Sequence, residues 1–286
     1  MAEFLNVLNI PVDPALLAAW CGWLAPARQP FYLTGAEADA LGLEALGLDT
    51  VPRAGLTLTP EERDTITEWT ISALADRVAW LTLADVDALP PGSRRALLRA
   101  QVRHGRGNVP LGRAFPELGL PPGRFLWRPE QLTAGVLARV VAAPGVPCQR
   151  LEVPLEVWRA AQEVLPGARA LAGSFPQGSA GNCFGTVMGA AGTRGAAAEW
   201  MQREPFEAFL HARTRPGGRD DQPGTVLLWR SSNGLAQHAA VTLGGGWALH
   251  KAAQTWWTPR VVLPTATLIR VSRSAGWRLS RRHLLA

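Results

Sequence analysis

Residues 223–251 read PGTVLLWRSSNGLAQHAAVTLGGGWALHK, and this stretch decides how the chain folds. It holds three apolar runs, Thr225 to Arg230, Gln237 to Leu243 and Trp247 to Lys251, separated by Ser-Asn-Gly and Gly-Gly-Gly turn sequences. Short runs of this kind between glycine-bearing turns predict strands, and their close spacing predicts antiparallel pairing. A later run, Leu268 to Ser272, extends the same pattern and predicts a further strand.

Working back from this sheet, the sequence becomes helical. Pro154 to Leu165 is amphipathic, Gly173 to Asn182 is a Gly/Ser-rich loop, Cys183 to about Ala191 is a helix of small residues, and Ala196 to about Ala212 is another helix. Helices first and a sheet afterwards is the α+β order.

The first half has a different texture. Thr59-Pro60-Glu61-Glu62 combines a Thr cap, Pro at the first helical position and Glu three residues after the cap. Ile66, Trp69, Ala73 and Leu74 follow at helical spacing and continue through Val78 and Leu81, so one long helix is expected there. Ser93 to Arg103 and Pro129 to about Val141 predict two more, with loops around 105 to 125. Pro and Gly concentrate between Val141 and Val153, which places a mostly helical region at 1–150 and a second domain at 151–286.

A chain of 286 residues, 47% hydrophobic and 18% charged, suits two globular domains rather than disorder. Its 29 basic against 23 acidic residues give +6, almost all of it from Arg, with Lys251 the only lysine. High-GC coding accounts for that bias, and neither aromatic interleaving nor a nucleic-acid-binding signature accompanies it, so no nucleic-acid partner is expected. The opening residues lack a signal-peptide pattern and no apolar run approaches about 18 residues, so the expectation is a cytoplasmic protein without a membrane segment. Cys21, Cys148 and Cys183 are odd in number and widely spaced, which is neither a disulfide framework nor a CxxC metal signature.

Cysteine chemistry needs a thiol that can ionise, a nearby imidazole, and a third polar group to orient that imidazole. Cys183 stands where the Gly/Ser-rich loop turns into a helix, where unpaired N–H groups favour thiolate and can bind an oxyanion. Gly181 and Gly185 on either side would let a substrate backbone approach. His238 lies six residues before Gly244 and His250 four after Gly246, so a hairpin would bring them roughly opposite each other.

The pieces Asn182-Cys183-Phe184-Gly185, Pro223-Gly224-Thr225-Val226, His238-Ala239-Ala240-Val241 and His250 keep an order and spacing, with 250 − 238 = 12, that resembles the NlpC/P60 family of papain-like cysteine hydrolases over roughly residues 153 to 273. The resemblance implies a papain-like domain in which a helix bearing Cys183 as nucleophile packs on an antiparallel sheet. It also implies His238 as base, His250 as its orienting residue, no cofactor, and a small peptide-like substrate derived from the cell wall. The sequence departs from the family in having Phe184 where a serine is usual and in lacking the tyrosine before the cysteine, since Tyr32 is the only one.

Gln237 is a second candidate oxyanion donor, and Trp256-Trp257 is the aromatic pair placed to line a cleft. A catalytically inactive binding module and an acyltransferase using the same thiol stand as alternatives to a cysteine amidase or peptidase. One Cys and two His are also legitimate zinc ligands, with no fourth ligand in evidence. Cys21 reads as core and Cys148 as a loop thiol, while His104, His211 and His283 read as packing or solvated residues.

Overall fold

The structure, a computed structural model, describes residues 5–143 and 145–285. The signal-peptide reading rests partly on Met1 to Phe4, and the boundary stretch contains Pro144; these positions lie outside the described residues. The described chain divides into two compact units, one of Pro14–Leu137 and one made of the residues before Pro14 together with Ala138 onward.

The chain opens with a hairpin of strands β1 (Leu5–Val7) and β2 (Ile10–Val12). Its turn is secured from far along the sequence: the Cys148 N–H donates to the Leu8 carbonyl at 2.8 Å, and Gln149 N–H donates to Val262. Cys148 is accordingly buried, and its sulfur accepts a hydrogen bond from the Val262 N–H at 3.4 Å.

Pro14–Leu137 contains α1 (Pro14–Leu24), β3 (Arg28–Leu33), α2 (Gly35–Leu41), β4 (Thr50–Pro52), α3 (Pro60–Thr65), β5 (Arg77–Thr82), α4 (Leu83–Ala88) and α5 (Pro91–Arg103). At its centre is an antiparallel sheet in the order β3-β5-β4, which the sequence reading did not anticipate among the helices. The capping box at Thr59 forms as read, with Thr59 Oγ1 accepting from Glu62 N–H and Glu62 Oε2 accepting from Thr59 N–H. The helix nevertheless ends at Thr65. Thr67 adopts a left-handed φ of 50°, and the Ile66 carbonyl accepts from the N–H of Gly107 instead of from a further turn.

The apolar spacing that suggested a continuing helix was coincidental. Trp69 and Leu74 are 61% and 76% exposed, while Val78 and Leu81 are fully buried on β5, a central strand covered on both faces. The free edge of β3 is closed by side chains. Gln101 of α5 accepts from Tyr32 N–H and donates to Tyr32 C=O, and Arg106 donates to the Pro30 carbonyl, so an otherwise unpaired strand edge is satisfied. His104 is buried with its ring against Glu37, and Cys21, expected in the core, is half-exposed on α1.

The helix expected from Pro129 appears as a 3₁₀ turn at Pro129–Gln131 followed by α6 (Ala134–Ala142), which crosses the division between the units. Beyond it come α7 (Leu155–Gln162), α8 (Ala168–Leu171), α9 (Cys183–Ala190), α10 (Arg203–Arg213), β6 (Thr214–Pro216), β7 (Pro223–Arg230), β8 (Ala236–Gly244), β9 (Trp247–Lys251), β10 (Arg260–Pro264), α11 (Thr265–Val271) and β11 (Arg278–Leu284). The six strands form one antiparallel sheet in the order β10-β9-β8-β7-β11-β6, with α9 packed on β8 and β9. Helices and antiparallel sheets together make the chain α+β.

Two elements differ from the sequence reading here. Residues 268–271 belong to α11, with Ser272 as its C-cap; the helix buries Thr265 and Leu268 one turn apart, and the strand that flanks β9 is Arg260–Pro264. Between Ala196 and Ala212 the chain forms only a 3₁₀ turn at Ala196–Ala198 before α10 begins. Among the described residues no helix is long and apolar enough to cross a membrane.

Candidate active site

Cys183 is the first residue of α9 because Asn182 caps the helix. The Asn182 side chain accepts from Gly185 N–H at 2.9 Å, and its amide donates to the Met201 carbonyl at 2.8 Å, so the cap itself is anchored. The flanking glycines serve a different purpose from the one expected of them. A Cβ on Gly181 would lie 2.4 Å from the Ala197 carbonyl oxygen, and one on Gly185 would lie 2.2 Å from that of Ala196. They admit the chain's own 196–199 turn, not a substrate backbone. Phe184, where the family has serine, is buried and stacks on Phe206 of α10 with ring centroids 4.3 Å apart.

His238 and His250 meet across the β8–β9 hairpin. Gly245 and Gly246 both have positive φ, 56° and 82°, which a tight two-residue turn requires and glycine supplies without strain. The register pairs Val241 with Leu249, so His238 sits two residues beyond the partner of His250 and on the same sheet face. The histidines are thus diagonal neighbours and not directly opposite. His250 Nδ1 lies 3.5 Å from His238 Nε2, with the rings edge to face. That contact occupies Nε2 and leaves Nδ1 of His238 as the nitrogen available to a proton from elsewhere. Trp229, paired with His238 in register on β7, covers the imidazole at 5.1 Å between centroids.

Cys183 and His238 line one cleft of about 360 Å³, together with Asn182, Phe184, Gln237, Ala252 to Gln254, Val271 to Ser274 and Trp277. No hydrogen bond joins Cys183 to His238 in this geometry, as is common for catalytic pairs without substrate. His250 is buried behind them and does not line the cleft. Gln237 does line it, with its amide nitrogen donating to Ser231 Oγ at 2.9 Å. Trp256 and Trp257 do not: Trp256 is buried, the two rings meet edge to face, and the tryptophan that lines the cleft is Trp277 instead.

Sequence reasoning also missed Lys251. The chain's one lysine is fully buried, and its ammonium donates to the carbonyls of Ala253, Gln254 and Thr255 at 2.5, 2.8 and 2.9 Å. It ties down the segment that forms one side of the cleft, and its charge favours the thiolate of Cys183. Its singularity in an Arg-rich chain was the available signal. Among the described residues no group of three His, Cys, Asp or Glu side chains is placed to hold a metal ion.

The electrostatics run against the expected thiolate. Although Cys183 is only half-enclosed by surface area, burial of its sulfur pushes the thiol up to about 11, outweighing the backbone N–H groups of Ala239 and Phe184 and the Lys251 charge. Burial pushes His238 down to about 4, and burial plus the charge of His238 pushes His250 down to about 3. The resting pair is therefore a neutral thiol beside a neutral imidazole.

A stability profile follows from these directions. The histidines are depressed below their ordinary 6.5, so their contribution is present above that pH and is lost as pH falls towards 4 and then 3. Cys183 is raised above its ordinary 9.0, so its contribution is present below pH 9 and is lost as pH rises through 11. The urea midpoint should therefore peak between about pH 6.5 and 9. A His238→Gln/His250→Gln double variant should flatten the acid limb, and an acid limb of unchanged slope in that variant would refute the assignment.

Comparison with family models, with curated proteins and with solved structures finds no match to this chain.

Proposed function

We propose that this protein is a thiol hydrolase of NlpC/P60-like type, an amidase or peptidase that cleaves an amide bond in a small peptide-like, cell-wall-derived substrate. The observation that carries the reading is that Cys183, at the capped start of α9, and His238 of β8 line one cleft, with His250 of β9 buried against the far nitrogen of His238.

The chemistry follows from the neutral pair. His238 Nδ1 takes the thiol proton as sulfur attacks the substrate carbonyl carbon, and the oxyanion forms beside the N–H groups at the start of α9. His238 then returns the proton to the departing amine as the C–N bond breaks. Water, deprotonated by the same imidazole, adds to the thioester and releases the carboxylic acid, restoring Cys–SH. An amine in place of that water would make the same site an acyltransferase.

One observation favours a second reading, a binding module of the same fold that does not turn over: the thiol held up to about 11 has little intrinsic reactivity at neutral pH. Both readings are tested by incubating the protein with short peptide p-nitroanilides and activated esters and reading covalent mass at the Cys183 peptide. Acyl adduct at Cys183 with release of the leaving group is the expected result. Tight binding without adduct would establish the module.

A further inference from the structure

We infer that the cleft is specific for short peptide-like amides carrying a free carboxylate close to the scissile bond, recognised by Arg273 in the turn between α11 and β11. This rests on the thiol-hydrolase reading and names its substrate class. Of the residues lining the cleft, Arg273 is the one with a permanent charge, and no Asp or Glu lines it. Arg219, Arg230 and Arg281 of the same unit are matched to Asp221, Glu207 and Asp220, and none of the three lines the cleft. Arg273 has no carboxylate partner among the described residues and stands exposed at the cleft wall.

An uncompensated guanidinium at the wall of a cleft recognises an anion, and its planar fork suits a carboxylate held by two parallel hydrogen bonds. The surroundings narrow the choice further. Trp277, four residues on, offers an apolar ring, while Gln237 and Gln254 offer amide groups matched to a peptide bond. A volume of about 360 Å³ is near the lower end of the range for small-molecule sites, roughly 300–1,000 Å³, so it suits a fragment of one to three residues.

The test compares alkylation of Cys183 by iodoacetate and by neutral iodoacetamide, read by mass spectrometry of the Cys183 peptide. The iodoacetate-to-iodoacetamide rate ratio should fall about tenfold in Arg273→Gln, as expected for losing one charge-assisted contact, and recover partly in Arg273→Lys. The iodoacetamide rate alone should stay within about twofold. A ratio unchanged in Arg273→Gln would overturn the inference while leaving the thiol-hydrolase reading intact. Failure of either reagent to label Cys183 would instead count against that reading. Titration with N-acetylalanine, followed by the indole signal of Trp277, then decides the carboxylate site independently: saturable binding lost in Arg273→Gln supports it, and no binding to the parent protein refutes it.

Discussion

Replacing His238 by alanine is expected to cut the acylation of Cys183 at least about a thousandfold, at the strong end of general-base effects. The size follows from the thiol. With its pKa pushed up to about 11, the thiolate fraction at pH 7 is about 10⁻⁴, since 7 − 11 = −4, so the sulfur depends on a base that removes its proton during attack. A site with a preformed thiolate would lose much less. His250→Ala should lower kcat by roughly ten- to a hundredfold with KM little changed, because the residue touches the His238 ring and not the cleft. His250→Gln, which keeps a hydrogen-bonding group, should recover part of that loss. Single-turnover acylation of a peptide ester, followed as adduct mass against time, measures all three variants. An acylation rate within tenfold of the parent in His238→Ala would remove His238 from the mechanism.

Lys251→Met should destabilise the protein by about 2–5 kcal/mol, the scale of stranding buried hydrogen-bond partners of a charged group. Methionine fills a similar volume but leaves the carbonyls of Ala253, Gln254 and Thr255 without their shared donor. Eliminating a buried charge offsets part of the loss, which is why the range is broad. Lys251→Arg should not restore stability, because a planar fork cannot aim three donors at three carbonyls gathered around one point. The readout is the urea midpoint, with Cys183 alkylation as a second measure: both should drop together, since the 252–254 segment lines the cleft and the ammonium favours the thiolate. A midpoint within about 0.5 kcal/mol of the parent, the usual scatter of surface substitutions, would show that the carbonyl cage carries no net stability.

The sequence by itself determined the parts governed by neighbours in the chain. The change from a Gly/Ser-rich loop to small apolar residues encodes a helix start at Cys183, Thr59 and Glu62 encode a capping box, and three consecutive glycines encode a tight turn; each involves groups within a few residues, and each forms as read. The hairpin also set the parity that brings His238 and His250 to one sheet face, because side chains alternate with period two whatever lies beyond. Tertiary structure decided the rest. Helical spacing from Ile66 to Leu81 could not reveal that Val78 and Leu81 pair with β3, and Val78 with β4 as well, nor could 268–272 show that a helix would bury Leu268 from one side. Long-range contacts also put Trp277 and Arg273 at the cleft in place of Trp256 and Trp257. The same contacts reversed the expected state of the thiol. A helix start alone favours thiolate, but desolvation by burial outweighs it, and desolvation is a property of the packed neighbourhood that no local spacing records.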